Sequence, residues 1–180
     1  TASPTLGITS GLVGSETVNA TGTASFNTKD VATANLVTLN STTLANGTNG
    51  GLASNYSLAN GESVAANITA KALSVSGSIA ANKTYDGTST AVITTGTLSG
   101  FIGSERVSAS ASGNFDSKNA GVRTATAIYT LGDDSVSGGL SGGLAGNYTL
   151  SDKSLLSATI SPKVLSATAN AAGKTYDAST

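Results

Sequence analysis

The sequence predicts an all-β chain made of tandem β-sandwich domains. Residues 107–112 and 124–131 alternate apolar and polar side chains with a period of two, the pattern of a strand with one buried face. Asn-Gly, Asp-Gly and Gly-Gly pairs punctuate the chain at the spacing of about 8–12 residues that is typical of a sandwich or barrel. No segment combines an apolar period of 3.6 residues with helix caps.

The most specific feature is an internal repeat with a period of about 90 residues. Five segments recur in the same order, and several of them keep identical residues. The recurring pairs are residues 12–18 with 101–107, 26–29 with 115–118, 51–58 with 143–150, 68–74 with 160–166, and 83–86 with 174–177. A spacing of this length indicates discrete domains rather than the short coils of a solenoid.

The phase of this repeat defines the predicted organisation. Residues 1–71 form a first unit that lacks its opening strand, residues 72–162 form a complete second unit, and residues 163–180 form the opening strand of a following unit. Two interpretations fit: the chain is an internal stretch of a longer array, or it is a subunit that donates its last strand to the next subunit. Strand donation supplies main-chain hydrogen bonds to an open sheet edge, and head-to-tail repetition builds a filament.

Composition excludes several classes of function. Charged residues are 11% of the sequence and the net charge is −1, so we expect no nucleic-acid binding, which needs clustered basic residues. No apolar run approaches the length that spans a bilayer, and we expect no membrane insertion. Cys and His are both absent, which excludes disulfides and thiolate metal sites. Aromatic residues are only 4%, which favours two small cores over a single large one.

Two tyrosines occupy the same position in the repeat. Tyr148 follows Ala-Gly-Asn and Tyr56 follows Ala-Ser-Asn. This pattern is similar to the tyrosine corner of immunoglobulin-like sandwiches, in which the ring packs at the edge of the core and the hydroxyl bonds to main chain. The full prediction is therefore an all-β chain of tandem immunoglobulin-like β-sandwich domains of about 90 residues. The alternative is that these tyrosines stack on a ligand.

The segment that opens the second unit carries a family resemblance. Its Lys-Thr-Tyr-Asp-Gly-Thr contains Tyr85, Asp86 and Gly87, and the copy near the end of the chain contains Tyr176 and Asp177. With the segments at 103–107, 118–121, 145–150 and 160–165, it resembles the YDG-type repeat of large bacterial exoproteins, which include filamentous-haemagglutinin-like adhesins. The resemblance implies repetitive extracellular β-domains at the bacterial cell surface, with no catalytic residues.

Two positions depart from the pattern of the family. Ala178 stands where the second unit has Gly87, so we expect the last turn to differ. In the first unit, Lys29-Asp30-Val31-Ala32 replaces Lys-Asn-Ala-Gly.

The sequence offers little for catalysis or metal binding. A nucleophile needs an adjacent base, and with no His present we expect no enzyme and no cofactor. Asp133 and Asp134 are the only adjacent carboxylates that could contribute to a calcium site, but a solvated turn is the favoured explanation. Glu16 and Glu105 recur at one position of the repeat, which predicts structural ion pairs or partly buried hydrogen-bonded charges.

The expected function is a structural repeat region of a bacterial cell-surface or secreted adhesin, stalk or extracellular filament. Its partners are neighbouring repeats or identical subunits arranged head to tail, with a host or matrix receptor possible. One alternative is a glycan- or matrix-binding module, which would need exposed aromatic side chains. Another is a parallel β-helix shaft, although no repeat of about 20–25 residues is visible.

Overall fold

The computed structural model of the chain describes residues 4–134, 141–151 and 153–180. These residues form strands, turns and two single 3₁₀ turns at Ala53–Asn55 and Ala145–Asn147. The all-β prediction is confirmed. Within the described residues, no helix is long and apolar enough to cross a membrane.

The strands are labelled in chain order. They are β1 Val18–Phe26, β2 Leu36–Asn46, β3 Ser63–Ala65, β4 Lys71–Ser76, β5 Ile79–Ala80, β6 Lys83–Thr84, β7 Thr90–Ala91, β8 Ile93–Thr94, β9 Thr97–Ser99, β10 Glu105–Arg106, β11 Ser108–Phe115, β12 Gly121–Gly132, β13 Ser141–Gly142, β14 Tyr148–Leu150 and β15 Lys153–Ser161.

The chain divides into two compact units. Unit 1 consists of Thr1–Ser74, Leu98–Ser110 and Thr130–Ser151. Unit 2 consists of Val75–Thr97, Ala111–Tyr129 and Asp152–Thr180.

Unit 1 contains a long antiparallel hairpin. β1 pairs with β2 from Val18 opposite Asn46 to Phe26 opposite Val37, with an irregularity at Thr23 and Ala24. The short strand β3 adds antiparallel to the other side of β2. Period-two alternation buries one face of this sheet, since side chains on alternate residues point the same way. The buried members of that face are Val18, Ala24, Val37 and Leu39.

Unit 1 also contains an apolar cluster around an inserted strand. In a three-stranded sheet, β4 lies between β14 and β9, and Lys71–Leu73 run parallel to Tyr148–Leu150. Leu73 on this strand packs with Val107 and Tyr148 as the buried centre of the cluster. Partly buried side chains surround it, namely Leu98, Phe101, Leu131 and Leu150.

Unit 2 is centred on a five-stranded sheet in the order β6-β15-β12-β11-β7. β12 and β15 are antiparallel, and β6 runs parallel to the end of β15 with Lys83 opposite Ile160. The inward face of β12 is built from Ala125 and Ala127, which are fully buried with Ile160. These small side chains are thus fully covered in the interior of unit 2.

The strand directions differ from those of a parallel β-helix. The longest pairs, β1 with β2 and β12 with β15, are antiparallel. A β-helix stacks parallel coils, so that alternative does not describe this chain.

Candidate functional site

Tyr148 is the centre of a buried polar contact in unit 1. Its hydroxyl donates to Glu105 Oε2 at 2.7 Å and accepts from the backbone N–H of Ile102 at 3.3 Å. Its ring is buried and meets Phe101 edge-on, with 5.7 Å between ring centroids. The Tyr148 hydroxyl therefore has one acceptor and one donor as partners, as buried polar groups usually do.

Tyr56 makes the same contacts in the first repeat. Its hydroxyl donates to Glu16 Oε2 at 2.6 Å and accepts from the backbone N–H of Val13 at 3.2 Å. Both tyrosines thus bond to the main chain, as a tyrosine corner does. The sequence does not identify the carboxylate partner of either tyrosine. The recurrence of Glu16 and Glu105 predicts only ion pairs or hydrogen-bonded charges at that position. We call each trio of tyrosine, glutamate and backbone N–H a tyrosine–glutamate clamp.

The environment of the two clamps shifts the tyrosine pKa values. Burial raises the pKa of Tyr148, and the hydrogen bond to Glu105 raises it further, because ionisation would place two negative charges together. The bond to Glu16 raises the pKa of Tyr56. Both hydroxyls therefore stay protonated at neutral pH and act as donors rather than as nucleophiles or bases.

The residue before Tyr148 links the first repeat to the second within unit 1. Asn147 donates to Asp30 Oδ1 at 2.9 Å and accepts from the backbone N–H of Val31 at 2.8 Å. Lys29 Nζ lies 3.4 Å from Asp30 and 3.5 Å from Glu105. The bond from Asn147 lowers the pKa of Asp30. Asp30 and Val31, which depart from the family pattern, are thus the residues that contact Asn147.

A second structural site is the loop that opens the second unit. Lys83 Nζ has four oxygen acceptors at 2.9–3.0 Å, which are Asp86 Oδ1, Thr88 Oγ1 and the carbonyls of Thr88 and Thr90. It also lies 5.8 Å from the centroid of the Phe115 ring. The Lys83 ammonium therefore holds the loop in its conformation through these contacts. We call residues 83–88 the lysine–aspartate loop.

Asp86 and Gly87 give this loop its shape. Asp86 Oδ1 also accepts from the backbone N–H and the hydroxyl of Thr88, both at 2.9 Å. These bonds, led by that from Lys83, lower the pKa of Asp86 to about 2. Gly87 has φ 84°, a left-handed conformation that costs glycine little. The Tyr85 backbone N–H donates to the Ser161 carbonyl at 2.8 Å, which continues the pairing of β6 with β15.

The same loop forms at the end of the chain. Lys174 Nζ lies 3.0 Å from Asp177, whose Oδ1 accepts from the backbone N–H of Ser179 at 3.0 Å and its hydroxyl at 2.8 Å. Ala178 has φ 64°, so the turn keeps its left-handed conformation, although a difference was expected there. Tyr176 is 90% exposed. The loop therefore forms from local sequence without a covering sheet.

The comparison with known families agrees with these recurring contacts. The model of the YDG domain matches residues 1–64 and 69–155. The chain belongs to the YDG domain family. No curated protein and no solved structure matches it.

The polar side chains of the clamps and of the lysine–aspartate loop in this YDG chain form hydrogen bonds to the backbone. Across the part of the chain that the structure describes, no three acidic side chains come close enough together to hold a metal ion. Asp133, a candidate calcium ligand, accepts from the backbone N–H of Ala145 at 2.7 Å, at the start of the 3₁₀ turn Ala145–Asn147.

Truncating the tyrosine of the buried clamp tests its structural role. We expect Tyr148→Ala to lower the free energy of unfolding by about 2–4 kcal/mol, because it removes a large buried side chain and leaves Glu105 without its donor. Chemical denaturation of the full chain measures this. Tyr56→Ala is the matched control, and it should cost less because the Tyr56 ring is only half-buried. A loss under about 0.5 kcal/mol for Tyr148→Ala would contradict the assignment.

The lysine–aspartate loop predicts an acid-sensitive contribution to stability. The pKa of Asp86 is depressed to about 2 from an ordinary 3.8, so its carboxylate stabilises the folded state above about pH 4, and this contribution is lost as pH falls toward 2. Asp86→Asn should make the free energy of unfolding less dependent on pH in that window. Urea denaturation at several pH values measures this. Asp134→Asn, at an exposed aspartate outside the loop, should keep the wild-type profile, and equal profiles for all three proteins would contradict the role of Asp86.

Proposed function

We propose that this YDG chain is a structural repeat region of a bacterial cell-surface or secreted adhesin, stalk or extracellular filament. The observation that carries the proposal is that the residues recurring between the repeats hold the backbone. Both tyrosine–glutamate clamps bind a main-chain N–H, and the lysine–aspartate loop binds main-chain carbonyls. Such residues serve to keep a domain folded and leave few groups for chemistry.

The domains in this proposal are tandem immunoglobulin-like β-sandwiches. Antiparallel hairpins, a tyrosine whose hydroxyl bonds to main chain a few strands upstream, and a parallel edge strand support this architecture. The boundaries at residues 71 and 162 remain predictions.

We also propose that the chain has no catalytic activity. The described tyrosine hydroxyls of the clamps are protonated donors, and the carboxylates of Glu16, Glu105 and Asp86 accept hydrogen bonds from neighbouring groups. A general base needs a free lone pair within reach of substrate. A low density of charge, with a net charge of −1, suits a spacer between a cell and its target, because it avoids non-specific binding to charged polymers.

Successive units join head to tail in this proposal. β3 ends at Ala65 in the first repeat, and β4 begins at Lys71 and pairs with β14 of the second. A strand that leaves one repeat therefore completes a sheet in the next.

Replacing this region in the intact protein distinguishes a spacer function from a binding function. Residues 1–180 of the full-length protein are replaced with an unrelated pair of β-sandwich domains of similar length, and cell adhesion and surface exposure are measured. We expect the natural region to be cleaved by protease added to intact cells and adhesion to survive the exchange. Loss of adhesion, with binding of the purified chain to a glycan or matrix array, would favour the binding module. Protection on intact cells would contradict a surface location.

A further inference from the structure

The first repeat contains three Asn-Gly pairs, at residues 46–47, 49–50 and 60–61, and the second repeat contains none. In such a pair the backbone nitrogen of glycine can attack the side-chain amide of asparagine, because glycine has no Cβ to block the approach. The attack forms a five-membered succinimide ring, and the asparagine is deamidated when water opens that ring. The three pairs have the same chemistry in the sequence, so their reactivity in the folded chain depends on the backbone around them.

The attacking nitrogen is held in a hydrogen bond at two of the three pairs. The Gly47 N–H donates to the Gly51 carbonyl at 3.0 Å, and the Gly61 N–H donates to the Leu39 carbonyl at 3.0 Å. A nitrogen must leave such a bond before it can lose its proton and attack, and breaking the bond costs free energy. The hydrogen bonds therefore protect the first and the third pair.

The middle pair has no such protection. Asn49 and Gly50 lie in a turn after β2, where both have the positive φ of a left-handed conformation, 55° and 86°. Among the residues that the structure describes, none accepts a hydrogen bond from the Gly50 N–H. Asn49 is exposed. The nitrogen of Gly50 is therefore free to attack, and water reaches the Asn49 side chain.

The side chains of the three asparagines are restrained to a similar degree. Asn46 Oδ1 accepts from a backbone N–H at 2.8 Å. Asn49 Nδ2 donates to the Ser15 carbonyl at 2.8 Å. Asn60 Oδ1 accepts from the Thr42 hydroxyl at 3.1 Å. The state of the glycine N–H is thus the difference that separates the middle pair from the other two.

We propose that Asn49 deamidates spontaneously in the folded chain and that the product loosens the first tyrosine–glutamate clamp. The Gly50 nitrogen forms a bond to Asn49 Cγ, the bond from Cγ to Nδ2 breaks, and ammonia leaves with the proton from the Gly50 nitrogen. Water, the only co-reactant, then adds to one of the two ring carbonyls. Opening at Cγ gives aspartate. Opening at the main-chain carbonyl carbon gives isoaspartate, in which the backbone runs through the former side chain.

The new carboxylate changes a contact beside the first clamp. The Asn49 amide donates to the Ser15 carbonyl, whereas a carboxylate has no proton to donate there. Glu16, the acceptor of the Tyr56 hydroxyl, follows Ser15 in the chain. A Cβ placed on Gly50 would lie 3.8 Å from Glu16 Oε1, so the new negative charge forms close to an existing carboxylate. Like charges repel, which opposes the position of Glu16 in the clamp.

The turn after β2 has little room to adjust to this change. The Thr17 N–H donates to the Thr48 carbonyl at 3.1 Å, and the Thr48 N–H donates to the Thr17 hydroxyl at 2.7 Å. A Cβ on Gly47 or on Gly51 would clash with the Thr17 carbonyl. Isoaspartate adds one methylene to the backbone of this closely packed turn. It therefore displaces the turn from Thr17 and from the clamp residue beside it.

Incubation of the full 180-residue chain, followed by peptide mapping with fragment-ion mass spectrometry, tests the proposal. We expect the Asn49 product to form about ten-fold faster than the product at Asn46 or at Asn60, the factor that one hydrogen bond contributes. The rate should rise with pH, because the glycine nitrogen attacks after it has lost its proton. Each event adds one negative charge, which isoelectric focusing also detects.

The unfolded chain in denaturant is the matched control for this measurement. Unfolding removes the hydrogen bonds of Gly47 and Gly61, so we expect the three pairs to react at similar rates there. Asn49→Gln should abolish the fast product, because the longer side chain does not form the five-membered ring, and Asn60→Gln should leave it unchanged. No reaction at Asn49, equal rates at the three pairs in the folded chain, or the same preference with and without denaturant would overturn the proposal.

Amide hydrogen exchange, followed by NMR, tests the effect on the clamp. The two clamps each receive a backbone N–H, from Val13 in the first repeat and from Ile102 in the second. Asn49→Asp carries the charge of the product, and we expect it to speed exchange at Val13 and to leave exchange at Ile102 unchanged. Asn60→Asp, which adds the same charge at another exposed Asn-Gly pair, should change neither. Exchange at Val13 that stays at the wild-type rate in Asn49→Asp would refute the effect on the clamp.

Discussion

Strand completion is the constraint on which the rest of this structure depends. A sheet whose edge is open leaves main-chain donors and acceptors unpaired and leaves apolar side chains in water. In the second repeat β4 supplies both the hydrogen bonds and Leu73, and the cluster around Tyr148 closes over it. The first repeat has a tyrosine at the same position, but Tyr56 is only half-buried. Burial in this chain therefore depends on which segment lies alongside, as well as on the side chains of the repeat itself.

The polar contacts complement this arrangement by fixing the backbone where strands begin. Each tyrosine–glutamate clamp joins a loop N–H to a ring at the edge of the core, and a charge-assisted bond of this kind is stronger than one between neutral groups. The lysine–aspartate loop does the same just before a sheet, with one ammonium and one carboxylate shared among several backbone groups. The loop at residues 174–179 forms without that sheet, so its contacts come from the local sequence.

The roles of the strands and the polar contacts explain why the chain folds with few charged and few aromatic residues. Threonine, serine and asparagine keep the outer faces soluble, and the interior of unit 2 includes the small side chains of Ala125 and Ala127. The charges that recur are placed where they hold backbone or join repeats, as Asp30 and Asn147 do. These structural roles support the proposed function as a structural repeat region.

The sequence by itself determined the all-β class, the repeat with its phase, and the family. It also determined the positions of Tyr56, Tyr148 and the Lys-Thr-Tyr-Asp segments. Each of these follows from alternation or recurrence along the chain, and both are visible in one dimension. Tertiary structure alone decided that Glu16 and Glu105 are the tyrosine partners, since some 40 residues separate each pair in the chain. It also decided that Asn147 bonds to Asp30 and to the backbone N–H of Val31, which lie 117 and 116 residues earlier in the chain. Such contacts depend on which segments meet in space, and spacing along the chain does not encode that.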